Sequence, residues 1–87
     1  MTIYAKFVHP NSGYDKGEFA RSKGLVVGNS YFVEYISMGS SYTNIYLRGC
    51  GDRLSDSFNS VYFEFFEDAE CTIPIDIYAD ARTNPYL

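Results

Sequence analysis

The sequence has no tryptophan, a single histidine, two cysteines and three prolines in 87 residues. His9, Cys50 and Cys71 are too few and too widely spaced to supply the three or four soft donors of a zinc centre, so no metal site or cofactor is expected. A nucleophilic pair of Cys50 with His9 would rest on their mere presence, so no catalytic residue is assigned and the chain is not expected to be an enzyme. Walker-type and dinucleotide-type glycine loops are also missing. Met1 runs straight into the alternating TIYAKFV without a secretory leader, which points to a cytoplasmic protein with free thiols. No stretch approaches the roughly 18 apolar residues of a membrane span.

Positive charge is scarce as well: seven basic residues face eleven acidic ones, for a net charge of −4. The imbalance sits in one half. Residues 1–49 carry five basic and three acidic side chains, whereas residues 50–87 carry two basic and eight acidic ones. A direct DNA or RNA binder presents a basic face to phosphate, so direct nucleic-acid binding is not expected. An acidic half suits either plain solvation or a basic protein surface.

What the chain has in quantity is aromatic residues, nine Tyr and seven Phe, which favour strands. Its length fits one domain, residues 1–87, with a modest core. Five stretches read as strands. Thr2–Val8 places Ile3, Ala5 and Phe7 on one face, and Thr43–Arg48 places Thr43, Ile45 and Leu47 inward against Asn44, Tyr46 and Arg48. Ser60–Phe66 is assigned Val61, Phe63 and Phe65 inward, with Tyr62, Glu64 and Phe66 outward. In YFVEYISM the apolar phase changes between Val33 and Ile36, as a β-bulge near Glu34 and Tyr35 would require. Cys71–Tyr78 alternates too, with Pro74 marking an edge or irregular point. Asn11–Gly24 reads as a long loop, Gly39-Ser40-Ser41 as a hairpin turn, Gly49–Ser57 as a polar loop and Glu67–Glu70 as an acidic turn. The tail Ala79–Leu87 is irregular, with Tyr86 and Leu87 free to dock on the body. Together these predict an all-β, five-stranded, strongly bent SH3-like barrel with a long early loop and an irregular C-terminal tail.

The stretch GLVVGNSYFV, with its apolar-Gly-x-x-Tyr-x-Val entry, then FNSVYFEF and the tail IPIDIYADARTNPYL resemble small proteins encoded by phages and mobile elements of bacteria. That resemblance implies a phage or prophage origin, where proteins of this size block host defence systems, anti-CRISPR inhibitors among them. No binding residue is carried over from it.

The residues themselves nominate a partner-binding surface. Tyr46 and Tyr62 have outward phase, and Glu64, Glu67, Asp68 and Glu70 place four acids within seven residues. Tyrosine gives large contact area at low entropic cost, and acids attract a basic partner. The expected partner is a basic-surfaced protein of the bacterial host, a CRISPR effector nuclease being the most concrete case. Two competitors stand beside it: an adaptor gripping a peptide between aromatics, and a nucleotide-signal sponge using Lys16, Arg21, Lys23 and Arg48.

Overall fold

A computed structural model describes residues 2–52 and 55–87. Met1, Arg53 and Leu54 lie outside it, and with them part of the predicted 49–57 loop and one of the two basic residues of the acidic half. Five strands form one antiparallel sheet: β1 (Tyr4–Phe7), β2 (Ser30–Met38), β3 (Thr43–Leu47), β4 (Phe58–Asn59) and β5 (Phe63–Phe66), in the order β4-β3-β2-β1-β5. A short helix α1 (Glu18–Ser22) follows β1, and a 3-10 turn (Ser60–Tyr62) joins β4 to β5.

The sheet bends at β2. Its first residues pair with β1, Tyr4 opposite Phe32 and Lys6 opposite Ser30, while its later residues pair with β3, Ile36 opposite Ile45 and Met38 opposite Thr43. The register shifts between Val33 and Tyr35, the bulge that the change of apolar phase requires. Because of that slip Val33 is buried while Tyr31, Ile36 and Met38 pack against the core. A flat five-stranded sheet would hold its edges about 19 Å apart. Yet the two edge strands are linked by a 3-10 turn that covers only about 8 Å. The sheet therefore curls until its edges approach, although no ladder joins β4 to β5 among the described residues.

Alternation assigns most of the core. Ile3, Ala5 and Phe7 of the first strand stretch, Ile45 and Leu47 of β3, and Phe63 and Phe65 of β5 are all buried. Each large side chain removed from water in this way contributes roughly 1.5–3 kcal/mol. Phe7 packs against Phe63 and edge-on against Tyr62, with ring centroids 5.8 and 6.2 Å away.

Three expectations need correction. Period-2 alternation places Val61 inward and Tyr62 outward, but the 3-10 turn rotates them the other way: Tyr62 is buried at 6% exposure and Val61 is 44% exposed. Asn59 sets that turn by accepting the Val61 N–H on its side-chain oxygen. Second, Cys71–Tyr78 forms no strand. Cys71 has φ 58°, Pro74 contributes only an isolated bridge to Phe66, and Asp76 turns the chain away by accepting the N–H groups of Tyr78 and Ala79. Its alternation consequently splits, Ile77 being buried while Ile73 is half exposed. Third, the Asn11–Gly24 stretch contains α1. Asp15 accepts the N–H groups of Gly17 and Phe19 at 3.0 Å each, Gly17 takes φ 76°, and Ala20 is the buried residue of the resulting turn of helix.

Candidate functional site

The acidic and tyrosine residues nominated by the sequence are dispersed over the molecule. Tyr46 faces outward on β3, where its ring packs on Tyr35 across the bulge with centroids 5.8 Å apart. Tyr62 is buried and unavailable as an outward contact. Glu64 is exposed on β5, separated from β3 by β1 and β2, and binds the His9 ring at 3.0 Å. Glu67 pairs with Arg82 at 2.9 Å. Asp68 is occupied in building its own turn, accepting the N–H groups of Thr72 and Ile73 and the Thr72 hydroxyl. Glu70 is exposed at the end of that turn. Two of the four acids thus face a cationic or imidazole partner, and a third holds backbone.

Of the four cations of the nucleotide-sponge reading, Lys16 is exposed and the other three are committed separately. Lys23 binds Asp56 at 3.3 Å, and Arg48 binds Glu34 while its guanidinium stacks 4.0 Å above the Phe32 ring. Arg21 donates to the carbonyl of Lys16. Both cysteines are free. Among the described residues no group of three or more His, Cys, Asp or Glu is arranged to hold a metal ion.

A different site is assembled where the Asn11–Gly24 segment meets the 3-10 turn. An open groove of about 240 Å³ lies there, lined by Tyr14, Asp15, Phe19, Phe58, Asn59 and Tyr62. Tyr62 is its floor, fixed from below by the contact with Phe7 and from the side by its hydroxyl, which donates to Asp15 Oδ1. The same carboxylate that shapes the start of α1 therefore ties the early segment to the turn 47 residues later. That hydroxyl, followed by the Phe19 N–H, holds Asp15 below the usual carboxylate range, and burial first, then the bond to Asp15, pushes the Tyr62 phenol up. Gly13 makes the approach possible, because a Cβ there would stand 2.0 Å from the Tyr62 hydroxyl oxygen.

Phe19 and Phe58 form one wall, their rings tilted with centroids 5.7 Å apart, and the Lys23 ammonium lies 5.4 Å over Phe19. Tyr14 stands fully exposed at the mouth. The sequence places Tyr14 and Phe19 within the long Asn11–Gly24 loop and nominates neither for a site. The available signals were Asp15 three residues before Glu18, a helix-start pattern, and Asn59 just ahead of the turn.

Fold and groove together define a class, that of small all-β domains with a strongly curled antiparallel sheet and an exposed aromatic cleft. More particularly, the chain belongs to the family described as Bacteriophage T4 protein Y07B, whose model matches residues 2–87. It is thus a small phage-encoded protein. No curated protein and no solved structure matches it.

Proposed function

We propose that this phage protein is a non-enzymatic binding module that inhibits a bacterial defence protein, such as a CRISPR effector nuclease, by holding one of its segments in the aromatic groove. The observation that carries the reading is Tyr14, a large ring wholly exposed beside a groove already walled by Phe19 and Phe58 and floored by a fixed Tyr62. Burying the apolar part of a tyrosine against a partner yields roughly 1.5–3 kcal/mol before the costs of association. Those costs are larger than one side chain repays, so the pre-set floor and wall matter as much as the area. The acidic half of the chain steers a basic target toward the surface, acting on the rate of encounter.

The test is a pull-down from the bacterial host with the wild type and with Tyr14→Ala, followed by a nuclease assay on whatever defence protein is recovered. The wild type is expected to recover and inhibit the target, and the folded variant to lose both. Equal recovery by Tyr14→Ala removes the groove from the reading, while recovery of no defence protein removes the target class. A second reading is favoured by a separate observation, the Tyr35–Tyr46 pair on the outer face of the sheet. Under that reading Tyr46→Ala raises the off-rate with little salt dependence, and Tyr14→Ala changes nothing.

A further inference from the structure

We infer that the cleft between β5 and the C-terminal segment is a second docking surface, one that takes an extended segment of a partner protein carrying alternate basic and apolar side chains. β5 is an edge strand, and the C-terminal segment covers only part of it. The Glu67 N–H donates to Ile73 and the Ile75 N–H donates to Phe65, after which Asp76 turns the chain off the edge. A groove of about 340 Å³ is left where the segment departs, with Phe66, Pro74, Ile75 and Tyr78 among its apolar lining and Glu64 and Asp76 as its carboxylates. Tyr78 is half exposed, and its hydroxyl is tied to the Ser60 hydroxyl at 2.7 Å, so this wall is set before any partner arrives.

The occupant follows from charge. The contacts made by the two carboxylates engage one oxygen of each, Oε2 of Glu64 by His9 and Oδ1 of Asp76 by backbone. Arg82, the cation of the neighbouring tail, is committed to Glu67 and Asp80. A lysine or arginine entering between the carboxylates thus meets negative potential, while a neighbouring apolar side chain meets Ile75 and Tyr78. Alternation of the two kinds is what an extended chain beside an edge strand presents to one face and then the other. This surface is distinct from the Tyr14 groove: the 3-10 turn stands between them, presenting Tyr62 to one and Ser60, bonded to Tyr78, to the other.

The test uses the full ¹⁵N-labelled chain titrated with a synthetic peptide of alternating lysine and valine, beside its glutamate–valine counterpart. Amide shifts are expected to concentrate on Glu64–Phe66 and Ile75–Tyr78 for the basic peptide and to be absent for the acidic one. Glu64→Lys should weaken binding about tenfold, added salt should weaken it in the wild type, and Tyr14→Ala should leave it unchanged. Shifts concentrated on Tyr14 and Phe19, equal affinity in folded Glu64→Lys, or no shifts up to the solubility limit of the peptide would each overturn the inference.

Discussion

At the scale of single residues, Gly13 and Asp15 decide most. Adding one methyl at Gly13 forces the Tyr62 ring out of its bond with Asp15. Gly13→Ala is therefore expected to lose about 1–3 kcal/mol in urea unfolding, the usual cost of overpacking. Asp15, Asp56, Asp68 and Asp80 all titrate below the ordinary value of 3.8, Asp80 down to about 2 under the Arg82 guanidinium. A carboxyl depressed in the folded state stabilises it fully above the unfolded value, and that contribution disappears as pH falls through the folded one. Stability should consequently be level at neutral pH and decline from about pH 4 downward. Tyr62→Phe removes the largest cause at Asp15, so its carboxyl resonance should titrate at higher pH in that variant by NMR. The thiols separate by the same logic: burial pushes Cys50 up, while Cys71 is partly exposed. Alkylation of the native protein should label Cys71 first and reach Cys50 only on unfolding.

At the scale of elements, β5 is held by apolar packing and the acidic turn after it by side-chain hydrogen bonds. Phe63 is buried against Phe7 and Phe65, so Phe63→Ala should cost roughly 3–5 kcal/mol by denaturant titration. In the turn, Asp68→Ala removes the acceptor of three hydrogen bonding groups and should lower the melting temperature, whereas Glu70→Ala should leave it unchanged. Reversing Glu67, Asp68 and Glu70 together thus disturbs folding as well as charge. β1, β3 and the bulge of β2 were legible because alternation and burial agree there, residue by residue. The 3-10 turn was not, because SVYFEFF alternates on paper and one Asn59 side chain is enough to break the period. α1 is five residues long, too short for helical periodicity to register, and rests on a carboxylate three positions ahead of its first residue. The aromatic groove escaped for a further reason: its walls come from residues 14–20 and 57–62, distant in sequence and joined by the Asp15–Tyr62 bond and the Phe19–Phe58 ring contact.

For the molecule as a whole, the tail completes the body that the sheet begins. Thr83 bonds the carbonyl of Ile77, Arg82 reaches Glu67, and the Tyr86 hydroxyl donates to the carbonyl of Met38 at the far end of β2. The tail is thereby strapped onto the sheet, and because the acids of residues 50–87 are dispersed over loop, β5, turn and tail, the −4 net charge works as a diffuse field around one body. The position of β1 has a consequence for synthesis. It lies between β2 and β5, so one of its ladders waits for residues 63–66, made some sixty positions later. Such distant pairing is slow to form because a long loop must close first. A nascent chain on the ribosome that has reached only the β2–β3 hairpin holds β1 with one edge open, a site for mispairing with a neighbouring chain. The native state is thus reached only after translation of β5, and until then the open edge of β1 belongs to the half-made chain.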